Sequence, residues 1–138
     1  MDREVIEQKI ESLRRCVERV RQKTPASAIA LANDPDAQDI LTLNLTRAVQ
    51  LCVDIGAHLI AVQNQPAPDT MGQTFDVLAD MAVITAELAV RMKKAVGFRN
   101  IAVHNYEAID WEIAHAIATH HVNDFTAFAA AVVASTGI

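Results

Sequence analysis

Residues 36–62 read DAQDILTLNLTRAVQLCVDIGAHLIAV. Leu41, Leu45, Ala48, Cys52, Ile55, Leu59 and Val62 recur here at steps of four and three without a miss, the period of one face of an α-helix. Leu43, Leu51, Val53 and Ile60 make the opposite side apolar as well, so this helix is expected to be covered on more than one face. A second copy of the chain or the remainder of one bundle can supply that cover, and the pattern favours the second copy.

The same period extends outward in both directions. On the N-terminal side, Asn33-Asp34-Pro35 is a turn signal, and residues 2–23 place Val5/Ile6, Ile10, Leu13, Val17 and Val20 on one helical face, ended by Thr24-Pro25. On the C-terminal side, residues 64–70 (NQPAPDT) form a loop with strong breakers. A third helix carries Phe75, Leu78, Ala82, Thr85, Ala89, Met92 and Val96 until Gly97 interrupts it, and a short helical piece spans residues 98–104. The last long helix begins near Asp110 or Trp111 and runs to about Ser135, with Ile113, Ile117, His121, Phe125, Phe128 and Val132 on its inner face. No segment alternates with a period of two, and there is no internal repeat. The expectation is an all-α protein, one domain over residues 1–138. It is an up-and-down antiparallel bundle of four main helices plus a short helix, and homodimeric.

Hydrophobic residues make up 51% of the chain and charged residues 21%, which suits a folded helical protein and excludes disorder. No stretch reaches the roughly 18 uninterrupted apolar residues of a membrane helix, so no membrane partner is expected. The opening Met1-Asp2-Arg3-Glu4 leads straight into an amphipathic pattern without the apolar core of a signal peptide, which makes the cytoplasm the default address. Cys16 and Cys52 read as buried thiols. The net charge of −5 argues against a nucleic-acid partner, but its distribution argues the other way. Residues 1–24 hold seven of the twelve Lys and Arg, residues 91–99 (RMKKAVGFR) hold four more, and none follows Arg99. That second cluster fits either an RNA-facing surface or the solvated C-terminus of a helix.

The chain has no Gly-rich phosphate loop, no G-x-S-x-G elbow and no H-E-x-x-H, and no two of its five histidines stand four residues apart. Chemistry without metal or cofactor is therefore expected. The adjacent His120-His121 reads as one core-facing and one solvent-facing histidine, His58 as interior or at a dimer contact, and Trp111, Phe125 and Phe128 as core. The segment that departs from the apolar pattern is GFRNIAVHNY, residues 97–106, where Arg99, two Asn, His104 and the single Tyr of the chain crowd together. Arg holds a phosphate through two hydrogen bonds, and His exchanges a proton near neutral pH. Together they meet the needs of RNA cleavage through the substrate's own 2′-hydroxyl, in which the protein supplies no nucleophile. On a continuous helix His104 lies roughly 140° around from Arg99, while Tyr106 returns to within roughly 20° of it. Either the helix loosens near His104, or the site joins residues of two protomers. The residues also admit a purely structural role. Arg99 then caps a helix, His104 satisfies a carbonyl, and Tyr106 packs beside Trp111.

Arg99, four intervening residues, then His104-Asn105-Tyr106 resembles the Arg-x-x-x-x-His-x-Tyr motif of the HEPN superfamily. With Phe98, Asn100, Ile109 and Glu112, the resemblance narrows to its HepT branch and spans the whole chain. It implies a homodimeric, metal-independent endoribonuclease that acts as the toxin of a bacterial toxin–antitoxin pair. Arg99 and His104 would be catalytic, with Asn100 in support. It also implies an MntA-like nucleotidyltransferase antitoxin as partner, which neutralises the toxin by attaching AMP to Tyr106. Other members of the superfamily dock nucleotidyltransferases without cleaving RNA, which is the alternative role.

Overall fold

The computed structural model describes residues 2–138, and among these the secondary structure is entirely helical. Helix α1 (Arg3–Lys23) starts on Asp2, whose Oδ1 accepts from the Val5 backbone N–H at 3.2 Å. A short α2 (Ala28–Ala32), capped by Ser27, leads into α3 (Pro35–Val62). Asp34 caps α3 and Pro35 opens its first turn, where a missing N–H costs nothing. Next come α4 (Met71–Asp80), α5 (Ala86–His104), a single 3₁₀ turn (Tyr106–Ala108) and α6 (Trp111–Ala116). A π-turn (Ile117–His121) joins α6 to α7 (Val122–Thr136).

Helix α3 is the axis of the bundle. By length and composition it qualifies to cross a membrane, but here its apolar residues form the core. Leu41, Leu45, Ala48, Cys52, Ile55 and Leu59 are buried, and α1, α4, α5 and α7 all pack against it. On its opposite side Val53 and Ile60 are buried within the same chain, and Leu43 stays exposed. The doubled apolar face thus needs no second copy to explain most of it. Gly56 lets α4 approach, since a Cβ there would sit 2.7 Å from Thr74 Cγ2 and 2.9 Å from Leu78 Cδ1.

Four features depart from the sequence expectation, the first being the short α2, which lies between the first two expected helices. The third helix is two helices. Helix α4 ends where Ala82 takes a left-handed conformation (φ 59°) and Val83 N–H returns to Leu78 O at 2.9 Å, and Thr85 then caps α5 through the Leu88 N–H. Gly97 does not interrupt anything, and residues 98–104 are simply the end of α5. Finally, the buried stripe at the start of the last helical segment is Ala114, Ala118 and Val122, one residue out from the expected Ile113, Ile117 and His121. The wider π-turn absorbs the offset, so that Phe125, Phe128 and Val132 face inward as expected.

Candidate functional site

The motif residues occupy the last turns of α5 and the 3₁₀ turn after it. Helix α5 buries Leu88, Ala89, Met92, Val96 and Ala102. Arg99 falls between Val96 and Ala102 on that stripe and is half-buried. Its Nη1 donates to Asn100 Oδ1 at 3.2 Å, so Asn100 steadies the guanidinium. The helix stays regular through His104, and the Asn105 N–H closes it on Ile101 O at 2.8 Å. Loosening near His104 is thereby excluded. His104 lies on the other side of α5, exposed, in a row with Gly97, Asn100 and Ile101. The backbone of one protomer therefore sets Arg99 and His104 on different sides of one helix.

Tyr106 lies past the helix end, so it does not share a helical face with Arg99 as expected. Its ring packs edge-on against Trp111 with centroids 5.8 Å apart, and its hydroxyl donates to Asp39 Oδ1 on α3 at 2.7 Å. The residue is 36% exposed. Partial burial and the carboxylate both hold its phenol above the ordinary tyrosine pKa of 10.0. Asp39 is the residue that sequence reasoning misses. It stands 67 residues from Tyr106 in a chain where acids are common, and no local spacing marks it.

The rest of the polar inventory is largely structural. Arg91 pairs with Asp124 at 2.9 Å and Lys93 with Asp76 at 3.1 Å, so two of the four cations of the second basic cluster tie α5 to α7 and α4. His120 and His121 are both exposed, correcting the expected core-facing member, and His121 Nδ1 lies 3.4 Å from Asp124 Oδ2. His58 is half-buried and accepts from the Asp2 backbone N–H at 3.3 Å. Phe125 and Phe128 are core, and Trp111 packs half-buried against it. Cys16 and Cys52 are buried, and burial raises both thiol pKa values. Beside the motif, Phe98, Ile101, Ile109, Ile113 and Ile117 line a cavity of about 500 Å³, in which Ile101 and Ile113 are 46% and 55% exposed.

Comparison with known proteins places these features in a family. The profile of the family described as "Ribonuclease HepT-like" matches residues 6–132. The chain is 34% identical over 125 residues to the mRNA nuclease HepT of Shewanella oneidensis, covering 91% of this chain and 93% of that one. Its fold superposes with a TM-score of 0.89 and 34% identity on the tri-AMPylated Shewanella oneidensis HEPN toxin solved in complex with MNT antitoxin, over 97% of this chain and 99% of that one. At 16% identity, a TM-score of 0.84 to YutE of Bacillus subtilis, covering 100% and 95%, speaks for the fold alone.

Proposed function

The chain belongs to the HepT-like ribonuclease family, and from that premise we propose that it is an RNA-cleaving toxin whose site forms between two protomers. The observation that carries this reading is the intact Arg99–His104–Tyr106 set at the open end of α5. In the reaction His104 takes the proton of a 2′-hydroxyl, and the freed oxygen attacks the adjacent phosphorus. The bond to the 5′-oxygen breaks, and that oxygen takes up a proton from water, to which His104 later gives its own. The products are a 2′,3′-cyclic phosphate and a free 5′-hydroxyl. Arg99 of the other protomer stabilises the charge that builds on the phosphorane oxygens, and Asn100 keeps its guanidinium in place. No step calls on a metal or cofactor. The exposed apolar rim of Ile101 and Ile113 beside the motif supports the twofold contact.

Tyr106 is the control point. Its hydroxyl sits at the surface with its proton directed at Asp39, which orients the oxygen to attack the α-phosphorus of ATP held by an MntA-like nucleotidyltransferase. The α–β phosphoanhydride bond breaks to release pyrophosphate, and the phenol proton passes to Asp39. The tri-AMPylated relative bound to its MNT antitoxin supports this assignment. AMP attached there adds a bulky anion at the turn that follows α5, where it obstructs the approach of RNA to the motif, so neutralisation needs no refolding. The pair works in the cytoplasm, where its RNA substrates are.

The test is direct. Arg99→Ala and His104→Ala should each lose RNA cleavage and growth inhibition while melting like the parent. Cleavage should persist in EDTA with cyclic phosphate termini. Cutting that requires added magnesium would overturn the mechanism. Tyr106→Phe should gain no mass from the partner nucleotidyltransferase and ATP.

A further inference from the structure

Helices α1 and α3 enclose a groove of about 600 Å³, apart from the motif and from the cavity beside it. Arg15 and Arg19 line it from α1 and Arg47 from α3. The two helices run antiparallel, with the Asp2 N–H on His58 and Lys9 3.7 Å from Asp54, which brings Arg15 opposite Arg47. Both guanidiniums reach the Cys16 thiol electrostatically and oppose the pKa rise that burial imposes on it. Arg15 and Arg19 stand one turn apart, about 6 Å along α1.

The groove is positive by arrangement. Among the described residues Arg15, Arg19 and Arg47 have no ion pair or side-chain hydrogen bond, whereas neighbouring Arg14 is held by Glu11 at 2.6 Å and Glu18 at 2.9 Å. The single acid in the lining, Asp54, is neutralised by Lys9. In a chain with 17 acidic residues and a net charge of −5, none forms an ion pair with these three cations among the described residues, and the one acid that feels Arg15 from α1, Glu11, is itself bound to Arg14. Like charges facing each other across a groove are unfavourable until an anion lies between them. The amides in the lining are already engaged, Asn44 with Ile40 O at 2.8 Å and Gln50 with Asp54 at 2.8 Å, so little is left to read base edges. Exposed Leu43 adds apolar surface beside the cations. The groove borders Ile40, and the preceding residue on α3, Asp39, receives the Tyr106 hydroxyl, so groove and motif approach one another along the first turns of α3.

We propose that this groove tracks the backbone of single-stranded RNA, sequence-tolerantly, and delivers the strand to the motif at the end of α5. The proposal rests on the RNA-cleaving reading, but it is tested by binding alone. His104→Ala protein, which keeps the groove, is titrated with a labelled single-stranded RNA of about 12 nucleotides, within the site sizes such grooves occupy. Adding Arg15→Gln, Arg19→Gln and Arg47→Gln should weaken binding at least about tenfold. It should also flatten the salt dependence by about 2 in log–log slope, three contacts at about 0.7 each. Lys23→Gln, at the exposed end of α1, should do neither, and matching melting curves show that the fold is kept. An unchanged affinity and slope in the triple variant would overturn the proposal, as would RNA binding too weak to measure in His104→Ala. So would loss of nucleotidyltransferase binding with RNA binding intact, which assigns the groove to the protein partner. If the parent cuts RNA while the triple variant binds as tightly, the cleavage reading stands and the groove falls. If the triple variant binds weakly and the parent never cuts, the reverse holds.

Discussion

At the scale of single residues, the most informative group is the phenol of Tyr106, because the chain has one tyrosine and its ionisation can be followed without labels. Partial burial and the Asp39 carboxylate both favour its neutral form, so its folded pKa lies above the unfolded one. By linkage, the stability this gives is fully present below the ordinary value of 10.0 and is lost as pH rises through the folded pKa. Ultraviolet titration should therefore place the phenolate midpoint above 10.0, and Asp39→Asn should lower it without restoring the free value, since burial remains. A midpoint at or below 10.0, or one indifferent to Asp39→Asn, would remove Asp39 from the site. Tyr106→Phe should cost about 1 kcal/mol or less, because Asp39 regains water when the bond is lost. The neighbourhood of Tyr106 and Trp111 was legible in the sequence, and the two rings do meet. Asp39 was not, because its partnership exists only once α3 and the 3₁₀ turn are packed together.

At the scale of elements, most of the helices could be read from the period of their apolar residues and from their caps. Asp2, Asp34 and Asp110 each stand directly before an apolar-periodic run, the position of a cap. Two of the misses share a cause, which is that local composition pointed the wrong way. Ala82 is a strong helix former held in a left-handed turn, and the residues around it keep three- and four-residue steps across the break. Gly97 is a poor helix former inside a regular helix, where an added Cβ would meet nothing within 4 Å. The π-turn leaves no compositional trace at all. These reversals predict gains from opposite substitutions. Ala82→Gly should stabilise the fold by about 0.5–1 kcal/mol by relieving the left-handed strain, and Gly97→Ala should stabilise it by about the same amount by restoring propensity. Denaturant melts of the two variants check both signs. Destabilisation by Ala82→Gly would contradict the break after α4, and destabilisation by Gly97→Ala would contradict the open, continuous course of α5.

At the scale of the whole molecule, the arrangement of α5 decides how the site must be assembled. Its helix is unbroken from Ala86 to His104, so Arg99 and His104 point to different sides of one rod, roughly 140° apart. Arg99 follows the stripe that packs into its own bundle, and His104 follows the row of Gly97, Asn100 and Ile101, all exposed. A twofold axis beside that row would bring the His104 of one protomer toward the Arg99 of the other. Such a site can be built from two broken halves. Arg99→Ala and His104→Ala proteins are each inactive alone. When their subunits are exchanged, about half of the dimers are mixed, and in each mixed dimer one site has lost both groups while the other has both intact. The mixture should then recover about a quarter of the parent RNA cleavage, rising as subunits exchange and absent when exchange is prevented by mixing at low temperature. A site formed within one protomer would recover nothing at any mixing ratio. That outcome would move the catalytic pair back onto a single chain and require the Arg99 side chain to swing around its own helix to meet His104.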